Sequence, residues 1–111
     1  MKKVRISDDA LADLDEGYAF HELREPTLGD YFFSCIRADI DGLKISGGTH
    51  RIVVGDLHRH LSRVFPYGIF YFYEERVVTV VAIIDLRREP EWIYEKLQML
   101  KSEPDGYTTR D

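Results

Sequence analysis

From Phe65 to Asp85 the chain reads as one strand hairpin, and a hairpin of this composition has to lie in the core of whatever the sequence folds into. Gly68-Ile69-Phe70-Tyr71-Phe72-Tyr73 is the aromatic arm, Glu74-Glu75-Arg76 the turn, and Val77-Val78-Thr79-Val80-Val81-Ala82-Ile83-Ile84 the aliphatic arm. The aliphatic arm is apolar on both faces, so it needs cover on both sides, as a central strand has. In the aromatic arm, Tyr67, Tyr71 and Tyr73 share one face with Ile69, while Phe70 and Phe72 take the other. The tyrosine face is either the polar-tipped rim of the core or an exposed contact stripe, and the rim is the better reading.

The flanks supply the cover. Lys3-Val4-Arg5-Ile6 alternates as a short edge strand does. Ser7 suits a helix N-cap, with Asp8 and Asp9 at the positive end of the dipole. Leu11, Leu14 and Tyr18 keep helical spacing towards Arg24, and Glu25-Pro26 stops that helix. Thr27 with Asp30 resembles a capping box for a second helix, whose stripe is Leu28, Phe32, Ile36, Ile40 and Leu43. Two helices joined this closely fold back as an antiparallel hairpin. Gly47-Gly48 closes the second. Arg51 to Phe65 is strand-like, broken at Gly55-Asp56. Pro90 opens a last helix with Ile93, Leu97 and Leu100 on its apolar edge. Residues 1–101 form a single domain on this reading, and 102–111 a flexible C-terminal tail.

Charge and cysteine narrow the class. The net charge is −5 over 111 residues and the pI about 5.3, whereas a general polyanion binder shows a basic excess. Acids crowd the front, at Asp8, Asp9, Asp13, Asp15 and Glu16. Bases crowd the middle, at Arg51, Arg59, Arg63, Arg87 and Arg88. A local basic face is compatible with an acidic protein. The lone Cys35 closes no internal disulfide and reads as a core thiol. No apolar run reaches the ~18 residues of a membrane span, and no apolar segment follows Met1-Lys2-Lys3-Val4. A cytoplasmic location, without membrane contact, is the expectation.

Several side-chain groups are candidates for chemistry. His58 and His60 share a strand face, but two histidines do not make a metal site, and hydrogen-bonded histidines are the expectation. Arg59 and Arg63 fall on the opposite face with Leu61 and Phe65. They are either edge charge or a row for phosphate or carboxylate. Arg87 and Arg88 follow the most buried strand, and either pair with the acidic first helix or face a partner. There is no phosphate-cradling loop, since Gly47-Gly48 lacks the Lys and Ser/Thr of one. Thr49-His50 is the nearest approach to a nucleophile with a base, and a dipeptide carries no specificity.

One run is recognisable. Arg59-His60-Leu61-Ser62-Arg63-Val64-Phe65-Pro66-Tyr67-Gly68-Ile69-Phe70-Tyr71, then Val78 to Ile84, then Arg87-Arg88-Glu89-Pro90-Glu91-Trp92, resembles the ParE/RelE superfamily of toxins. Its pattern is an arginine-rich strand, Phe-Pro-Tyr, an aromatic strand, an aliphatic strand, and Arg-Arg-x-Pro before an aromatic. Leu28-Gly29 matches the start of its second helix. The resemblance spans roughly residues 3–95 and is most specific from Arg59 to Trp92.

The resemblance implies an α+β fold: an N-terminal strand and helical hairpin packed on an antiparallel-rich sheet, with a short C-terminal helix. It implies the toxin of a type II toxin–antitoxin module, such as those of plasmid stabilization, held inactive by a cognate antitoxin, possible as a hetero-oligomer, and needing no cofactor or metal. RelE-like members cut messenger RNA on the ribosome; ParE-like members inhibit DNA gyrase. RelE-like members carry an arginine where this chain has Gly68, and many relatives have His in place of Asp85. An aspartate beside a scissile phosphate repels it. The ParE-like branch, acting by protein–protein binding on gyrase, is therefore the expectation, with Arg59, Arg63, Tyr67, Tyr71, Arg87, Arg88 and Trp92 as target- or antitoxin-binding residues. The alternatives are a ribosome-dependent endoribonuclease, using Arg63, Arg87 and Tyr94 with His58 or His60 as proton carrier, and a non-toxic relative that only binds its antitoxin.

Overall fold

The computed structural model describes residues 1–100 and the backbone of Tyr107–Arg110. The elements are β1 (Lys3–Ser7), α1 (Asp8–Arg24), α2 (Leu28–Ser46), β2 (Ile52–Val54), β3 (Leu57–Leu61), β4 (Tyr67–Glu74), β5 (Val77–Asp85), α3 (Pro90–Met99) and β6 (Tyr107–Arg110). They build one six-stranded sheet in the order β2-β3-β4-β5-β1-β6. All neighbours are antiparallel except β1 and β5, which run parallel. This is the α+β architecture that the resemblance implies.

The β4–β5 hairpin is the centre of the sheet, and both its faces are covered. On one face the α1–α2 hairpin lays Leu14, Phe32, Ile36, Ile40 and Leu43 onto Tyr67, Ile69 and Tyr71. On the other face Leu97 of α3 and Leu57 of β3 pack with Phe70, Phe72 and Ile84. The tyrosine face is thus core: Tyr71 is fully buried and Tyr67 is 6% exposed. β5 feeds both cores through its alternating faces, and a bulge changes their phase partway along. Phe70 pairs with Ala82, but Tyr71 pairs with Val80. The extra residue shifts the alternation, so that Val80 and Ile83 face the helical hairpin, and Val81, Ala82 and Ile84 face α3. The hairpin turns through Glu75 and Arg76, both at positive φ (50° and 64°). That geometry ordinarily selects Asn-Gly, so this turn holds two side chains in a costly backbone region.

Several local expectations change. β1 is not an edge strand: β5 lies on one side and β6 on the other, which suits its buried Val4 and Ile6. Residues 102–111, expected to be a flexible tail, contain β6, paired antiparallel with β1 from Ser7 beside Tyr107 to Val4 beside Arg110; 102–106 and 111 lie outside the described residues. The strand-like stretch from Arg51 is two strands, β2 and β3, folded about Gly55-Asp56 with Gly55 at φ 54°.

Ser7 caps α1 as expected, accepting from Ala10 N–H at 3.1 Å. The Thr27–Asp30 box does not form. Thr27 sits at φ 72° and makes no side-chain cap. The carboxylate of Glu22 on α1 reaches over instead, accepting from Thr27 N–H at 3.1 Å and Gly29 N–H at 2.9 Å. The link between the helices is short enough for one helix to cap the next. Cys35 is half-buried on α2 rather than enclosed in the core.

Candidate functional site

The end of the hairpin where β4 begins and β5 finishes collects most of the chemistry. Asp85 is the last residue of β5, opposite Tyr67. Its carboxylate holds Arg87 with both oxygens, Nε to Oδ1 at 3.0 Å and Nη2 to Oδ2 at 2.8 Å, and accepts Arg87 N–H at 2.9 Å. Arg87 therefore pairs with its own strand end and not with α1. The hydrogen bond from Arg87 holds the Asp85 carboxyl below the usual carboxylate range, against the opposing effect of burial. Arg88 turns to α3, its guanidinium 3.6 Å from the centroid of the Trp92 ring, a stacked cation–π contact. Pro90 at the first turn sets α3 so that Trp92 faces back towards Arg88.

Between α1 and α3 a cleft of about 630 Å³ opens over this end, with Ile83, Ile84 and Tyr67 in its lining. Asp13 ties its walls together. One oxygen accepts the Ile83 N–H of β5 at 2.9 Å, and the other meets Lys96 Nζ of α3 at 2.7 Å. Burial pushes the Asp13 carboxyl up, despite the Lys96 ammonium and the Ile83 N–H that favour its charge. Thus α3 answers an acid of α1 through Lys96, a residue that sequence reasoning did not single out. One acid among five in the same stretch gives no signal of that kind. Tyr67 lies against the cleft with its phenol pushed up to about 12, first by burial and then by the Asp85 charge, so it remains a hydrogen-bond donor. Glu16 adds a carboxylate to the α1 wall.

A second cluster lies further along the sheet. His58 pairs with Tyr71 across β3 and β4, and their rings stack at 4.9 Å with an interplanar angle of 8°. His58 Nδ1 is 2.7 Å from the His50 carbonyl. Tyr71 accepts Gly48 N–H at 2.9 Å and meets His50 Nδ1 at 2.5 Å. His60 brings its ring within 4.4 Å of His50. Burial pulls both His50 and His60 down from the ordinary histidine value; His50 is lowered further by His60 and His58. The two expected histidines are thus hydrogen-bonded or packed, and His50 completes a group that the dipeptide Thr49-His50 did not announce. Among the described residues no group of three or more His, Cys, Asp or Glu is placed to hold a metal ion.

The remaining candidates scatter. Arg63 lies in the exposed loop after β3, so it shares no strand face with Arg59. That loop is held by Asp39 of α2, which accepts from Ser62 Oγ at 2.8 Å and from Arg63 N–H at 3.4 Å. Arg59 lies opposite Phe70, on the α3 side of the sheet, with its Nε buried and without a hydrogen-bond partner among the described residues. Tyr94 is 58% exposed on α3. The structure therefore brings Tyr67, Arg88 and Trp92 to one cleft, with Arg87 held on Asp85 of its lining, groups Tyr71 with His58 and His60, and sets Arg59 on the α3 side of β3, Arg63 in the loop whose Ser62 N–H meets the Tyr67 carbonyl, and Tyr94 on exposed surface of α3.

No family model and no curated protein matches the sequence. The fold does match. A chain of the solved structure "Chromosomal ParDE TA system from P. aeruginosa" superposes with a TM-score of 0.69 at 15% identity, over 75% of this chain and 94% of that one. The fold is ParE-like. Among the described residues no helix is long and apolar enough to cross a membrane.

Proposed function

We propose that this chain, which folds like a chain of a ParDE system, is the toxin of a type II toxin–antitoxin module, neutralised by a co-expressed antitoxin and acting by binding and inhibiting DNA gyrase. The fold likeness joined to the Arg59–Trp92 motif run supports the module. The observation that carries the binding mechanism is the Asp85–Arg87 pair. The arginine that a nuclease reading needs for phosphate is held by both oxygens of a carboxylate. That carboxylate would itself face the phosphate, and Glu16 adds a second negative charge to the same cleft.

The candidate proton carriers also lie away from Arg87. His58 stands opposite Tyr71, four residues along β4 from Tyr67, which is roughly 13 Å at ~3.3 Å per residue. In-line attack of a 2′-hydroxyl needs a base and a cation within hydrogen-bond reach of one phosphate. With His58 set that far along the strand from the end that carries Arg87, the pairing of His58 as base with Arg87 as cation is disfavoured. An open cleft bordered by Trp92, Arg88 and Tyr67 favours a macromolecular partner instead, since aromatic and arginine side chains anchor protein interfaces.

The experiment is inducible expression of the chain alone and with the neighbouring short reading frame. Growth arrest relieved by the second gene supports the reading. Normal growth in both cultures contradicts toxicity and favours a relative that only binds. Messenger cleavage in a translation extract that disappears in Arg87→Ala would move the mechanism to the nuclease.

A further inference from the structure

The link between α2 and β2 is fastened to the sheet by one core hydroxyl. The Tyr71 side chain is fully buried beneath the helical hairpin, and its hydroxyl meets the link at two points. Gly48 N–H donates to it at 2.9 Å, and His50 Nδ1 lies 2.5 Å from it. His58 holds the same segment from β3, its Nδ1 donating to the His50 carbonyl at 2.7 Å. Gly48 is the pivot. It sits at φ 92°, and a Cβ there would lie 2.7 Å from the Tyr73 ring, so only glycine lets the link lie this close.

This fastening fixes where each proton stands. A phenol has one hydrogen to give, and burial pushes the Tyr71 phenol up, so the hydrogen stays on it. The oxygen accepts from Gly48, and the hydrogen goes to His50 Nδ1. His50 is therefore neutral, with its own hydrogen on Nε2. A proton added at Nδ1 sets N–H against O–H. The Tyr71 hydrogen then loses its acceptor inside a core that water does not reach. His50 itself is only half-buried, so water can deliver that proton.

The surroundings oppose the same charge. The His60 ring lies 4.4 Å from that of His50, and His58 is stacked on Tyr71. Both histidines act on His50 in the direction that disfavours its protonation, as does its burial. From α2, the Asp39 carboxylate favours charge on His60, while it accepts from Ser62 Oγ and Arg63 N–H. Lys2 adds a cation 6.0 Å from the Tyr73 ring, against which Gly48 packs.

We propose that residues 48–50 form a proton-released latch, shut on Tyr71 while His50 is neutral and detached at Gly48 when His50 is protonated. The latch meets β4 four residues along from Tyr67, at the β2–β3 side of the sheet. Mild acid thus loosens the entry into β2 and leaves the α1–α3 cleft formed. The inference stands apart from the toxin reading.

The test is amide hydrogen exchange on the full chain at about pH 7.5 and about pH 5, expressed as protection factors so that the intrinsic pH dependence of exchange divides out. Gly48 protection should fall by about fivefold or more in acid, while that of Ile83, at the cleft, stays within about twofold. In His50→Gln, whose amide oxygen accepts the Tyr71 hydrogen and does not titrate, Gly48 protection should hold within about twofold. His60→Gln should keep the fall and move its midpoint to higher pH, because one opposing ring is gone. Gly48 protection that ignores pH, or that falls no more than that of Ile83, overturns the latch. So does a fall that persists in His50→Gln, or one that vanishes in His60→Gln and so belongs to His60. Should His50→Gln not fold, the contrast of Gly48 with Ile83 and the His60→Gln midpoint decide.

Discussion

Replacing Asp13 by alanine should unfasten the seam where β1 ends. The carboxylate accepts the Ile83 N–H at 2.9 Å and the Lys96 ammonium at 2.7 Å. Alanine leaves that N–H without an acceptor in a region where Ile83 is 3% exposed, which costs about 1–3 kcal/mol. The ion pair adds less. The Lys96 side chain is 26% exposed and can turn towards water, so its loss is worth about 0–1 kcal/mol. Removing a carboxylate whose burial already disfavours its charge returns part of this. The net expectation is a loss of about 2 kcal/mol. For a domain of this size that lowers Tm by roughly 6–15 °C. Asp13→Asn keeps an acceptor for Ile83 and should lose about half as much. Urea denaturation of the two variants and wild type at pH 7 reads both numbers. Asp13→Ala within about 0.5 kcal/mol of wild type, or Asp13→Asn as damaging as Asp13→Ala, would refute the assignment of Asp13 as the acceptor that satisfies the Ile83 N–H.

Other expectations follow from the same geometry. His50 and His60 have depressed folded-state values, so the unfolded chain takes up protons first. Their contribution is complete above the ordinary histidine value of about 6.5 and declines as the pH falls through it; His50→Gln should flatten the dependence of stability between about pH 7.5 and 5.5, and an unchanged slope would count against the cluster. Tyr67 should be the last tyrosine to ionise, near 12; alkaline ultraviolet titration of Tyr67→Phe should lose that late step while stability changes by under about 1 kcal/mol, since no hydrogen bond is removed. A Cβ at Gly17 would lie 2.5 Å from Phe32 Cε2, so Gly17→Ala should cost about 1–3 kcal/mol by overpacking; a neutral result in thermal denaturation would mean that the helices separate more easily than their contact suggests.

What the sequence discloses and what it withholds divide along physical lines. The hairpin was legible because Phe70, Phe72 and the valine run declare burial by composition alone. The α2 stripe from Leu28 to Leu43 was legible for its period, and Ser7 for its cap. The exchange of caps at Thr27 was not, because it depends on Glu22 reaching across a turn from another helix. β6 was hidden because Tyr107-Thr108-Thr109-Arg110 is short and polar, and pairs with β1, about a hundred residues earlier in the chain. The bulge that shifts the alternation of β5 leaves no mark in the apolar run from Val80 to Ile84.

The candidate site shows the same division. Tyr67, Arg88 and Trp92 carried the motif and come together at the cleft. The partners that decide what they can do are Asp13, Lys96 and His50, whose roles exist only after the chain has folded. Arg59 and Arg63 looked like one row because alternation was carried past the end of β3, whereas Asp39 bends the chain into a loop there.

The central claim is a toxin that binds gyrase and does not cut RNA, and gyrase supercoiling with the purified chain tests it most directly. The account predicts that micromolar protein blocks supercoiling, and that prior addition of the antitoxin restores it. Supercoiling that proceeds unchanged at that concentration, with protein that still arrests growth when expressed, would contradict it.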